Sequence, residues 1–156
     1  MNLLNKYKTI SPVNWCSRNI TLDYGMFDPN YHPLLIEPLQ AVAESRGKTV
    51  GLIGSVQHIK TLLAQLWQLY GLQIEPSRAA MYDLTEAALK EFSDDKFTPL
   101  IDSTDAILRM IPDQAYRRTK FFTSTNYGAI RLLSANVLAA RNSKTLERIT
   151  CDESWA

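Results

Sequence analysis

The stretch Lys48 to Leu72, KTVGLIGSVQHIKTLLAQLWQLYGL, constrains the fold more than any other part of the chain. It opens on a short apolar run, Lys48 to Ile53, which reads as a strand ending at Gly54. The polar loop Gly54-Ser55-Val56-Gln57-His58-Ile59 follows. From Lys60 the apolar side chains Leu62, Leu63, Leu66, Trp67 and Tyr70 recur at helical spacing. They predict a helix to about Leu72, with Gly71 beginning its exit.

The flanking segments extend this alternation. Residues 1–33 are rich in Asn, Tyr, Pro and Asp and read as an irregular N-terminal segment packing on the domain. A short helix over Val13 to Arg18 starts at Ser11-Pro12. Leu35, Leu39, Val42 and Ala43 predict a helix from about Leu34 to Arg46, stopped by Gly47. Arg78 to Leu84 reads as a strand. Thr85 then caps a helix over Glu86 to Phe92, whose acidic start suits the helix dipole. Pro99 to Ile111 is a further helical stretch. Two strands, roughly 119–125 and 129–134, flank the turn Asn126-Tyr127-Gly128. A last strand runs over 147–152. Strand, loop, helix, strand, helix and more strands predict an α/β sandwich with a mainly parallel sheet.

Residues 54–61, GSVQHIKT, approximate the phosphate-loop pattern GxxxxGK[ST] in the right place, between a strand and a helix. Gly54, Lys60 and Thr61 fit. Backbone N–H groups of such a loop cradle phosphate oxygens, the lysine neutralises them, and the Thr hydroxyl ligates Mg²⁺. Ile59 stands where the pattern has its second glycine. A β-branched residue disfavours positive φ and crowds the phosphate, so reduced nucleotide affinity is expected, restored by Ile59→Gly. The plain alternative is a strand-to-helix loop whose Lys and Thr are coincidental. At the other end of the chain, the apolar run Ile149-Thr150-Cys151 delivers Asp152 and Glu153. That is the form of a Walker B element, although solvated strand ends also look like this. Paired with the loop, Asp152 would hold Mg²⁺ and Glu153 would act as general base.

Composition removes several classes. The net charge of +1, from 17 basic and 16 acidic residues, gives no global field for nucleic acid. DNA contact would therefore come from a local patch or a missing segment. The apolar run Leu62 to Leu72 is interrupted by Gln65 and Gln68 and is too short to span a bilayer, and the polar N-terminus is not a signal peptide. No membrane association and a cytoplasmic location are expected. Cys16 and Cys151 have no metal-type spacing and read as buried thiols. His32 and His58 cannot form a histidine metal cluster, and His58 reads as a solvent-facing loop residue. Trp15 and Trp67 read as core anchors. Trp155 is either exposed or packed where the missing strand belongs. Tyr116 to Phe122, YRRTKFF, could touch a DNA backbone or supply an arginine in trans. The favoured reading is a solvated strand edge with Phe121 or Phe122 in the core.

Taken in order, these motifs resemble the N-terminal ATPase region of the tailed-phage, lambda-like terminase large subunit, over about residues 12–155. Trp15, Asn19 and Leu22 look like its Trp-x3-Asn-x2-Leu opening, and Pro38-Leu39-Gln40 like the element upstream of its phosphate loop. GSVQHIKT is similar to a deviant Walker A, and CDESW sits at the Walker B position. The resemblance implies a P-loop NTPase-like three-layer sandwich over residues 34–156, incomplete at its C-terminal side, with ATP and Mg²⁺ as cofactors. Gln40 would read adenine. Residues Gly54, Ser55, Val56, Gln57, His58, Ile59, Lys60 and Thr61 would hold phosphates, and Thr61 and Asp152 the metal, with Lys60 and Glu153 catalytic. Such a motor, from a bacteriophage or prophage, drives double-stranded DNA into a procapsid. It works with the small terminase subunit and the portal, and a homo-oligomer is one possibility. The chain stops after Walker B, before the strand that in this class inserts between the two motif-bearing strands. It is therefore expected to pair those strands directly, borrow a strand, or be marginally folded, and to be inactive alone. Two alternatives are a non-enzymatic terminase remnant serving as an assembly module and a helicase-type ATPase fragment.

Overall fold

The computed structural model describes residues 10–44, 49–52, 59–83, 85–136 and 145–151. Helix α1 (Pro12–Asn19) is started by the Ser11 hydroxyl, which accepts the Asn14 N–H at 3.2 Å. It is finished by Asn19, whose side-chain amide donates to the Trp15 carbonyl at 2.8 Å. A two-residue ribbon follows, β1 (Thr21–Leu22) against β2 (Gly25–Met26). Its turn needs Gly25, at φ 124°, a conformation costly for any residue with a Cβ. Helix α2 spans Pro33–Glu44 and helix α3 spans Ile59–Ile74. The N-terminal segment is thus less irregular than its composition suggests, and Trp15, Ile20 and Phe27 join the same core as Leu66 and Ile130.

Gly71 does not end α3. The helix continues three residues further, and the missing side chain at Gly71 leaves room for the Arg148 guanidinium, only 1.0 Å from where a Cβ would stand. That guanidinium lies 4.5 Å above the Trp67 ring and bonds Glu75 at 3.3 Å. The sixteen-residue α3 is no membrane span, and no helix among the described residues is long and apolar enough to be one.

Strand β3 is Arg78–Asp83. Thr85 caps α4 (Glu86–Phe92) by accepting the Ala88 N–H at 3.1 Å. The expected helix over Pro99 to Ile111 is instead broken. A π-helical turn, Ser93–Phe97, leads into α5 (Thr98–Asp102), and α6 (Asp105–Leu108) starts afresh. The break falls where the hydroxyls of Ser103 and Thr104 both donate to the Leu100 carbonyl, at 3.1 and 2.7 Å. Local side-chain bonds of this kind compete with the helix ladder.

After a 3₁₀ turn at Ala115–Arg117 come β4 (Arg118–Thr119), β5 (Phe122–Ser124), β6 (Ala129–Ser134) and β7 (Arg148–Cys151). The sheet order is β4-β5-β6-β3-β7. The two ladders of β3, with β6 and with β7, are parallel, and the other two are antiparallel. Central β3 buries Ala79, Ala80 and Met81 consecutively, as a strand covered on both faces does. The β5–β6 turn is tied by the Thr125 hydroxyl, which accepts the N–H groups of Tyr127 and Gly128, both at 3.1 Å. Gly128 is required there, since a Cβ would meet the Ser77 backbone at 2.9 Å.

One expected strand is not found. Residues 49–52 have no strand conformation, and Val50 and Leu52 are 43% and 38% exposed. An extended segment becomes a strand only with a ladder partner. Among the described residues β7 pairs with β3 alone and forms a sheet edge, so direct pairing of 49–52 with β7 is not the solution adopted. Ile149, on β7, is correspondingly 57% exposed.

Cys16 is fully buried as expected, and burial pushes its thiol up to about 12. Cys151 is exposed, contrary to the expectation, because β7 is an edge. Thiol alkylation at mild alkaline pH, read by mass spectrometry, should therefore label Cys151 first and leave Cys16 unmodified until the chain unfolds. Because the folded pKa of Cys16 lies above its unfolded value, its contribution to stability is complete below about pH 8.5 and declines as pH rises towards 12.

Candidate nucleotide site

The phosphate-loop residues Gly54, Ser55, Val56, Gln57 and His58 lie outside the described residues, as do Asp152, Glu153 and Trp155. What can be placed is the frame around them. Helix α3 begins at Ile59, so Lys60 and Thr61 form its first turn, both half-buried. The first-turn N–H groups of a helix have no partner within the helix itself and carry positive potential, which favours an anion there.

The direction of α3 fixes where that start points. Glu75 and Gly71, near its end, meet Arg148 at the beginning of β7. Gln68, earlier in the helix, donates to Thr150 Oγ1 at 2.6 Å and to the Ala80 carbonyl at 3.3 Å. Hence α3 runs antiparallel to β3 and β7. From Gln68 back to Lys60 is about 12 Å of helix. The first turn therefore lies towards the carboxyl ends of both strands, past the level of Thr150. Cys151, which directly precedes Asp152 in the chain, ends β7 in register with Tyr82, and Asp83 ends β3 in register with Ser134. Ligands of α/β proteins gather at such strand ends.

Thr61, Gln65 and Gln68 share one face of α3, a face that the apolar spacing of the helix does not single out. Gln65 and Gln68, read as interruptions of an apolar run, are 5% and 0% exposed. Among the described residues Gln65 Nε2 and Gln68 Oε1 have no partner. Gln68 clamps the helix to both motif-side strands. Gln68→Ala should cost about 1–3 kcal/mol in chemical denaturation, through the lost bond to Thr150 and the void left between α3 and the sheet. A loss below about 0.5 kcal/mol would mean that the clamp is solvated.

Ile59 changes meaning. It sits in the helix rather than in a left-handed loop position, and its side chain packs against the core. Positive φ is therefore not demanded of it. Ile59→Gly is now expected to weaken the start of α3 by about 1 kcal/mol of helix propensity plus lost packing, rather than to improve phosphate binding.

Gln40 is exposed on α2, a helix that packs against α3. The cavity nearest the end of β3, lined by Met81, Tyr82, Asp83, Leu89 and Phe92, is only ≈ 10 Å³, too small for a ligand. No group of three His, Cys, Asp or Glu side chains among the described residues could hold a metal.

In the YRRTKFF segment, Arg118 pairs with Asp102 at 2.6 Å and Lys120 with Asp94 at 2.5 Å. Phe121 packs on the core, and Phe122 is half-buried under the Arg131 guanidinium at 4.5 Å. Two of the three segment charges are thus matched by acids, and Arg117 is not among them.

A family model described as "Phage terminase large subunit gpA, ATPase domain" matches residues 22–155. The chain belongs to this terminase family. No curated protein and no solved structure matches it. The terminase match takes in α2, α3 and the whole sheet, but begins after Trp15 and Asn19. In this terminase domain those two residues do structural work: Trp15 donates to Gln73 Oε1 at 2.6 Å, and Asn19 closes α1.

Proposed function

We propose that the chain is an ATP-binding domain of a phage DNA-packaging motor, with its nucleotide at the start of α3 beside the carboxyl ends of β3 and β7. The observation that carries this reading is the antiparallel run of α3, anchored by Gln68 on Thr150 and by Glu75 on Arg148. It directs Lys60 and Thr61 to the end of the sheet where Asp152 and Glu153 follow β7 in the chain. The full architecture in this reading is a P-loop NTPase-like three-layer sandwich.

The residues fit the group. The first turn of α3 supplies backbone donors and the Lys60 ammonium for phosphate oxygens, with the loop Gly54 to Ile59 completing the cradle. Thr61 and Asp152 supply the oxygen donors that Mg²⁺ prefers. Gln40 reads the adenine edge, and Glu153 takes a proton from the attacking water. When bound, Mg²⁺ neutralises charge on the phosphate oxygens during transfer. The isolated chain turns over negligibly, because residues 49–52, which lead into the loop, are not held in a ladder and β7 is an open edge. Its partners in this reading are double-stranded DNA, the small terminase subunit and the portal.

The metal assignment has a direct test. ATP affinity should rise when Mg²⁺ replaces EDTA, and Asp152→Asn should remove most of that gain while leaving metal-free binding intact. An unchanged Mg²⁺ dependence in Asp152→Asn removes Asp152 from the site.

A further inference from the structure

A second surface lies at the opposite end of the sheet. The amino ends of β3 and β6, the Thr125–Gly128 turn and the 3₁₀ turn enclose an open groove of ≈ 430 Å³. Its lining includes the guanidinium residues Arg78 and Arg117, the rings of Tyr116, Phe122 and Tyr127, and no carboxylate. The two tyrosines are unusually open for large rings, at 65% and 77% exposed. Arg117 lies 5.4 Å over the Tyr116 ring and makes only a long 3.4 Å bond to the Thr125 carbonyl. Its Nε is buried and without a partner among the described residues. Thr125 and Gly128 hold the turn rigidly, so Tyr127 is presented from a fixed backbone. Glu147 accepts the Arg78 backbone N–H at 3.0 Å from the β7 side and is not part of the lining.

We infer that this groove binds single-stranded nucleic acid, with Arg78 and Arg117 on backbone phosphates and Tyr127 and Tyr116 stacking on unpaired bases. Charge chooses the anion: two cations without a lining acid attract phosphate, and a partly desolvated guanidinium gains most from it. The exposed rings choose the single strand. A duplex hides its base faces, whereas unstacked bases lie on aromatic platforms whatever their sequence. Net charge of +1 is no obstacle, since the acids that cancel it sit elsewhere, Asp94 and Asp102 among them, on Lys120 and Arg118. The site goes beyond the nucleotide reading and uses none of its residues.

The test is fluorescence anisotropy of a labelled 20-mer oligothymidylate with the 156-residue chain and no ATP. Saturable binding is expected, weakening roughly sevenfold between 50 and 200 mM salt, as two phosphate contacts on a single strand require. Tyr127→Ala should weaken it roughly tenfold through lost stacking. Arg78→Glu should weaken it at least as much and flatten the salt dependence. Both residues are exposed, so circular dichroism should show an unchanged fold, and ATP–Mg²⁺ titration of the same variants should match the parent chain. A failure here therefore leaves the nucleotide reading standing, and the reverse holds too. Absence of binding, indifference to both substitutions, preference for a duplex of equal length, or equal competition by inorganic polyphosphate would each overturn the inference.

Discussion

Trp15→Ala is expected to lower unfolding stability by about 3–5 kcal/mol, the largest loss from any single truncation in this chain. Trp15 is 2% exposed and lies where α1 meets α3. Its ring stands edge-on to Tyr70, with centroids 5.8 Å apart and planes at 81°, an arrangement that adds to simple area burial. Its indole N–H reaches Gln73 near the end of α3, and Tyr70 in turn donates to the Ile10 carbonyl at 3.1 Å. Alanine would empty a volume walled by helices on two sides and strand the Gln73 oxygen. Urea denaturation followed by far-UV dichroism checks it. A loss under about 1 kcal/mol would show that α1 is an appendage rather than part of the core.

The second large effect is on ligand binding. Lys60→Ala should weaken ATP–Mg²⁺ binding by roughly 10- to 150-fold, the range of about 1.5–3 kcal/mol for a hydrogen bond to a charged group. Fold stability should change little, because Lys60 is in the first helical turn and half-buried rather than in the core. Calorimetric titration reads the affinity and thermal unfolding the stability. Equal affinity in the variant and the parent would make Lys60 incidental, and GSVQHIKT an ordinary connection.

Much of this arrangement was visible in the sequence. The Ser11-Pro12 and Thr85 starts were legible because capping chemistry is local. The helix at Leu62, Leu63, Leu66 and Tyr70 was legible because apolar spacing records its buried face. What failed was non-local. Gly71 looked like a helix end, yet Arg148, far along the chain, fills the space beside it. Residues 49–52 looked like a strand, but apolar β-branched character does not create a ladder partner. Gln65 and Gln68 read only as interruptions of an apolar run, and it is the docking of α3 on β3 and β7 that buries them. Cys151 looked buried because the open edge of β7 cannot be read from β7 itself. For the proposed nucleotide site the sequence offers residue types, whereas the orientation of Lys60 towards the strand ends comes only from the Gln68 and Arg148 contacts.

The most direct measurement is a backbone amide NMR titration of the full chain with ATP–Mg²⁺. The predicted result is a set of saturating shifts at Lys60, Thr61, the loop leading into them and the carboxyl ends of β3 and β7, at Asp83 and Cys151, with Arg78 and Tyr127 unmoved. Shifts centred on Arg78 and Tyr127, or no shifts at all, would contradict a nucleotide site at the start of α3.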